Sequence, residues 1–175
     1  MSFEDHPAAD NIRYLRQGIE LLQKLDDGLF AGEVREESQR TGVGKQIRHC
    51  IDFYECFLRG PTDERVDYNA RSRELELELE RNRSIQRLEE LIERLAGLDP
   101  ERMDATLHVR IDGDGESGWC RSSARRELQF LLSHTIHHYA LIALMLESAG
   151  FRLGDRFAEF GVAPSTIRHW KQTGR

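Results

Sequence analysis

The residues between Ser123 and Gly150 form a long segment that contains neither glycine nor proline. Ser122 or Ser123 can cap a helix at its start, because a serine side chain accepts a hydrogen bond from the first helical turn. The helical pattern then continues to about Ser148, and Gly150 is placed to end it. One unbroken helix is predicted here, and helices of this length pack as members of bundles.

Three further segments carry apolar residues at steps of three and four, which is the spacing of one helix face. The predicted helices cover residues 7–30, 44–59 and 78–98. Gly60 and Pro61 are expected to end the second of them, since neither residue favours a helix interior. Long polar connections separate the three segments.

A short β-hairpin is predicted over residues 104–121, where β-favouring residues flank the turn-forming sequence Asp-Gly-Asp-Gly at 112–115. The predicted fold class is therefore all-α. It is a four-helix bundle with long connections, a small β-hairpin before the last long helix, and a short C-terminal helical tail. In this interpretation residues 1–150 form the bundle, and residues 151–175 form a tail that packs on it.

Composition limits the class of protein. The chain has 175 residues, of which 39% are hydrophobic and 32% charged, as expected for one globular domain. No apolar run approaches the length of a membrane span, and the polar N-terminus predicts a cytoplasmic protein. Three cysteines without a Cys-x-x-Cys motif argue against a disulfide scaffold, and the net charge of -6 argues against a protein that coats nucleic acid.

Three of the seven histidines lie within one turn of the last long helix. His134 and His138 are four residues apart, so their side chains project from the same face, while His137 is rotated towards a helix interface. Two imidazoles at this spacing can both bind one metal ion at about 2.0–2.1 Å. The alternative is that both are core histidines with ordinary hydrogen bonds.

His49 is the best candidate for a third ligand, because it lies in the middle of a helix on the face that also carries Phe53 and Cys56. Three histidines with remaining open positions are typical of a catalytic metal site rather than a structural one. The sequence lacks the His-Glu-x-x-His motif of zinc proteases, the Glu-x-x-His motif of di-iron bundles, and a phosphate-binding loop.

Three segments, 41–54, 66–73 and 126–142, together resemble the DinB/YfiT-like superfamily, and the resemblance covers most of the chain in the right order. It implies a four-helix bundle in which three histidines bind one divalent metal ion. By residue-by-residue matching these are His49, His134 and His138. Some relatives act as thiol-dependent transferases or isomerases. Many of them have Arg-Gly-Gln after the last histidine, where this chain has Tyr-Ala-Leu at 139–141.

The function expected from this resemblance is metal-dependent chemistry on a small molecule, with a thiol as a candidate cosubstrate. The expected metal is zinc or nickel, with iron or manganese as further options. Dimers are common among relatives, so a homodimer is an open expectation. The residues expected to support the ligands or bind substrate are Asp52, Tyr68, Arg71, Arg73 and His137. For Asp52 two roles are open: it accepts the second N–H of the His49 ring, or it is a solvated carboxylate on the helix surface. Arg71 and Arg73, with Tyr68, can bind an anionic substrate, and the alternative for the two arginines is a salt bridge to the acidic run Glu74, Glu76, Glu78 and Glu80.

Two alternatives remain open. The protein can bind metal without catalysing a reaction, or it can be a regulator that contacts DNA through its C-terminal tail. Residues 158–171 read like the turn and second helix of a helix-turn-helix, and residues 151–175 hold five basic and two acidic side chains. The tail alone is too short to supply a core, which favours packing on the bundle over binding of nucleic acid.

Overall fold

A computed structural model describes residues 6–32, 42–110 and 118–174. Four long helices dominate it, joined by short helices and a small sheet. The helices are α1 (Ala9–Leu22), α2 (Asp27–Ala31), α3 (Val43–Asp63), α4 (Glu76–Leu79), α5 (Arg81–Ala96), α6 (Ala124–Ser148) and α7 (Pro164–Thr173). The strands are β1 (Arg65–Val66), β2 (Thr106–Arg110) and β3 (Trp119–Ser123).

The four long helices form the predicted bundle, so the all-α fold class with a small β element is confirmed. Helix α1 packs against α5 and α6, and α3 packs against the same two helices. The consecutive long helices α1 and α3 therefore lie diagonally opposite each other in the bundle. Their buried side chains meet in the centre, where Asn11 Nδ2 of α1 donates to Tyr54 Oη of α3 and to the Leu128 carbonyl of α6.

Apolar burial along these faces supplies the main stabilisation. In α1, the predicted positions Ile12, Leu15, Ile19 and Leu22 are all buried. Each fully buried aliphatic side chain contributes about 1.5–3 kcal/mol relative to an exposed one. Among the described residues, no helix has both the length and the hydropathy that a membrane-spanning segment requires.

The predicted first helix, 7–30, is wrong as a single element. Helix α1 ends at Leu22, and the Asp26 side chain starts α2 by accepting a hydrogen bond from the Leu29 N–H at 2.8 Å. The side chains of Leu25 and Phe30 stay buried across the break. The apolar spacing therefore continues while the backbone changes direction, because an aspartate cap competes with helix continuation.

The predicted helices 44–59 and 78–98 also have different bounds in the structure. Helix α3 continues past Gly60 to Asp63 and ends at Glu64, whose φ of 54° is left-handed. Gly60 serves close packing rather than helix termination, since a Cβ there would lie 2.2 Å from Val66 Cγ2 in β1. The predicted helix 78–98 is divided into α4 and α5 at Glu80, whose backbone is extended.

The predicted hairpin is present as the antiparallel pair β2 and β3, with Arg110 opposite Trp119. Its predicted turn at 112–115 lies outside the described residues. Strand β1 adds a parallel third strand that the sequence did not predict, because two residues cannot show a period. Strand β3 leads directly into α6, and Ser123 Oγ caps that helix by accepting from the Arg126 N–H at 3.3 Å.

The C-terminal segment contacts the bundle through aromatic side chains. The Phe160 ring stacks on Tyr139 of α6 with a centroid distance of 4.5 Å, and Tyr14 Oη donates to the Val162 carbonyl. Only a 3-10 turn at Asp155–Phe157 precedes Gly161 in this segment. Within the described tail, the first helix that a helix-turn-helix requires is therefore missing.

Candidate metal centre

The packing of α3 against α6 brings three histidines together. His49 lies on α3, and His134 and His138 lie on the facing side of α6. Their ring centroids are 4.5–5.0 Å apart, and one nitrogen atom from each ring lies within 4.8 Å of the other two. All three side chains are half-buried. These are the three residues that the sequence analysis named as ligands.

The three imidazoles are neutral at physiological pH. Burial lowers the pKa of His49, His134 and His138 to about 4 in each case, because desolvation disfavours the charged ring. Neighbouring positive charges act in the same direction, including Arg71 for His49 and for His134. A neutral imidazole keeps one ring nitrogen with a free lone pair, which is the form that binds a metal ion.

Each of the two α6 histidines has a ring nitrogen that is available to a metal ion. His138 Nδ1 lies 2.6 Å from Gln46 Oε1, so this nitrogen donates and Nε2 keeps its lone pair. His134 Nε2 is buried and has no hydrogen-bond partner among the described residues. An unpaired buried polar atom costs free energy that a bound ion would recover. The donor set and this unpaired nitrogen therefore fit a divalent metal ion.

His49 has a different partner. Arg71 Nη1 lies 3.2 Å from His49 Nδ1, and a guanidinium can only donate, so this nitrogen of His49 accepts and Nε2 carries the ring proton. A metal ion on this ring would replace the Arg71 hydrogen bond, because a neutral imidazole has a single lone pair to offer. The Arg71 guanidinium also lies over the Phe53 ring, with Cζ 5.2 Å from the ring centroid. Arg71 is thus brought beside the triad from a loop that has no regular structure.

Aromatic rings cover one side of the triad. The Phe53 ring lies 4.8 Å from His49 and 4.3 Å from His134, and the Phe130 ring lies 5.6 Å from His134. These rings keep water from that side of the imidazoles. Electrostatic interactions beside such an apolar wall are stronger than in bulk water.

Tyr68 supports this wall and does not reach the triad. Its ring stacks on Phe53 at 5.1 Å, and its hydroxyl donates to Glu127 Oε2 at 2.8 Å. Burial and the Glu127 carboxylate raise the pKa of Tyr68. The sequence analysis placed Tyr68 beside a substrate, whereas its contacts hold Phe53 in place.

Glu127 holds Tyr68 behind the aromatic wall, and the sequence analysis did not single it out. Its side chain is fully buried and accepts hydrogen bonds from Tyr68, Ser122 and Arg126. It lies in the first turn of α6, where a carboxylate is favourable because of the helix dipole. That position alone does not separate a buried glutamate from an exposed one, so the sequence carried only a weak signal.

Asp52 accepts hydrogen bonds from residues other than His49. Within the described chain, Asp52 is buried and accepts from Arg48 Nη1 at 2.9 Å, Ser72 Oγ at 3.2 Å and the Arg73 N–H at 3.3 Å, rather than from His49. Asp52 points from α3 towards the loop, so it anchors residues 72–73 instead of orienting an imidazole.

Arg73 and His137, the remaining predicted residues, are both exposed. Arg73 contributes its backbone N–H to the Asp52 contact, and its side chain makes no ion pair within the described chain. The His137 ring lies 5.3 Å from that of His138, but its rotation around α6 carries it to solvent rather than to a helix interface. Neither side chain joins the triad.

A groove of about 450 Å³ also lies beside the start of α6. Its lining includes Asp10 and Arg125, and these two side chains already form ion pairs with Arg13 and Asp104. None of the three clustered histidines lines this groove.

Fold and site together define a helical-bundle protein with a histidine triad between two of its long helices. The sequence model of the DinB superfamily matches residues 15–142, a range that includes the three histidines of the triad. The chain belongs to the DinB superfamily. Neither the curated proteins nor the solved structures gave a match to this chain.

Proposed function

We propose that this protein binds one divalent metal ion through His49, His134 and His138 and uses it to act on a small molecule. The observation that carries the proposal is the convergence of three neutral imidazoles, one of which has an unpaired buried nitrogen. Membership of the DinB superfamily supports it, because metal binding is common in this family. Zinc and nickel suit three imidazole donors, and iron and manganese are compatible with them.

A divalent ion at this position supplies a positive charge that favours the deprotonated form of a thiol or water at neutral pH. The chain's own residues prepare the site for it. Gln46 fixes the ring of His138 by accepting its Nδ1–H, so that Nε2 points away from the hydrogen bond. Phe53 and Phe130 exclude water from one side of His134.

Metal analysis tests the binding half of this proposal. Protein without a histidine tag is loaded with zinc or nickel, dialysed and measured for metal content. The comparison is a His49→Ala/His134→Ala/His138→Ala variant, with His169→Ala as a control because His169 is exposed on α7. We expect about one equivalent in the wild type and the control, and almost none in the triple variant.

Circular dichroism shows whether each variant keeps its helices. A wild type that binds no metal, or a helical triple variant that binds as much as the wild type, would refute the metal site. In either case the histidines are core or interface residues.

The catalytic half is tested by turnover. Because of the resemblance to thiol-dependent relatives, the first screen pairs a small thiol with electrophilic acceptors in the presence of the loaded protein. Turnover that disappears in His134→Ala and persists in His169→Ala supports an enzyme. Stoichiometric metal without turnover across the screen favours the alternative of a metal-binding protein without catalysis.

A further inference from the structure

Arg71 has an unusual set of partners for an arginine inside an acidic protein. Within the described chain it makes no ion pair, its Nη1 contacts the neutral His49 ring, and its Nε is buried without a hydrogen-bond partner. Arg48, by contrast, pairs with Asp52 and Glu78. Of the acidic residues that follow position 73, Glu78 is paired with Arg48 and Glu74 with Arg87.

The loop that carries Arg71 is fixed on both sides of it. Arg59 Nη2 donates to the Ala70 carbonyl at 2.9 Å, and Asp52 accepts from Ser72 and from the Arg73 backbone. Arg73 has a φ of 53°, a left-handed conformation that non-glycine residues adopt at an energetic cost. Such strain persists where the surrounding structure enforces it, and it is found at ligand-binding sites.

The surface next to Arg71 is apolar and carries positive charge. The guanidinium groups of Arg71 and Arg126 lie 5.2 Å and 5.6 Å from the ring centroids of Phe53 and Phe130. Arg126 is paired with Glu127, whereas Arg71 has no acidic partner in the described chain. A divalent ion at the triad would add further positive charge. An anion with an apolar body fits this combination.

We propose that Arg71 binds the carboxylate of a small organic acid whose apolar body packs on Phe53 and Phe130. The inference rests on the proposed function, since it names the substrate class for the same site. A guanidinium offers several N–H groups in one plane and matches a planar carboxylate. Arg71 is thereby the specificity residue of the site.

The test is an NMR titration of zinc-loaded protein with benzoate and with benzamide, its neutral counterpart of similar size. The variants are Arg71→Gln, Arg71→Lys and a control, Arg94→Gln, which removes the same charge at an exposed position of α5. Zinc content and circular dichroism are measured on every sample. The wild type and the Arg94 variant should bind benzoate about tenfold more tightly than benzamide or better, and Arg71→Gln should lose this preference while retaining zinc.

Arg71→Lys keeps the charge without the planar fork, so it should retain only part of the preference. Absence of benzoate binding to the zinc-loaded wild type would overturn the proposal, as would equal binding of benzamide. Undiminished preference in Arg71→Gln would also overturn it, since the zinc itself would then hold the carboxylate. If the wild type takes up no zinc, the metal proposal fails separately, and the same comparison on metal-free protein decides the role of Arg71.

Discussion

The burial of three neutral histidines predicts that the metal-free protein loses stability as the pH falls from 6.5 towards 4. In the unfolded chain each of these rings has a pKa of 6.5, whereas burial lowers it to about 4 in the folded protein. Between these values the unfolded state binds protons that the folded state does not. The free energy of unfolding therefore falls with decreasing pH in this window and is unaffected by these groups above it.

The magnitude follows from the size of the shifts. A pKa difference of this size corresponds to about 3 kcal/mol per ring before solvent screening. Because all three rings are half-buried, screening reduces the expected contribution to about 1 kcal/mol each, or about 3 kcal/mol in total.

The assay is urea denaturation followed by circular dichroism, with a chelator present, at several pH values between 7.5 and 4. The reference is the triple variant His49→Ala/His134→Ala/His138→Ala, which keeps every other titrating group. The wild type should lose about 3 kcal/mol more than the variant across this range. Parallel pH profiles for the two proteins would show that the rings are not held neutral, and the reasoning about the site would fail with them.

Three further results are expected. Zinc at about 100 times its dissociation constant should raise the free energy of unfolding of the wild type by about 2.7 kcal/mol and leave the triple variant unchanged, as measured by urea denaturation. Glu127→Ala should destabilise the protein by about 2–3 kcal/mol because Tyr68 and Ser122 lose their acceptor, whereas exposed Glu147→Ala should cost less than about 0.5 kcal/mol in the same assay. Gly161→Ala should cost more than Gly150→Ala by thermal denaturation, since both have positive φ but only at Gly161 would the new Cβ meet backbone, 2.5 Å from the Ala140 nitrogen. Equal costs for the two glycine variants would mean that the tail does not pack on α6 as described.

The parts of the fold that periodicity encodes were predictable from the sequence. The four long helices, the hairpin and the serine cap of α6 all follow from local patterns. The breaks between helices at Asp26 and Glu80 could not be predicted in this way. Apolar residues continue through both breaks at helical spacing, and only the backbone changes direction. Strand β1 is two residues long and exists through pairing with β2, about forty positions later in the chain.

The residues of the site likewise fall into those that a local pattern predicts and those that depend on contacts between distant segments. His134 and His138 share one helix, so their spacing alone predicted that they project together. His49 lies on another helix; its mid-helix position beside Phe53 and Cys56 made it a candidate, the family resemblance pointed to the same residue, and the contact itself depends on the packing of α3 on α6. Arg71 and Glu127 depend on contacts between distant segments, such as the hydrogen bond from Tyr68 to Glu127 across 59 positions. No periodic pattern in the sequence records such a contact.

One turn of α3 organises both sides of the site. His49 and Phe53 face α6, where they meet the other two histidines, while Asp52 faces the loop and holds its backbone. Asp52 is itself held by Arg48, so the loop is tied to the same helix that carries the first ligand. Arg71 therefore reaches His49 from a loop whose position is set by α3. Within five residues the helix thus serves two purposes: one face carries a histidine of the triad, and the other anchors the loop that brings Arg71 to it.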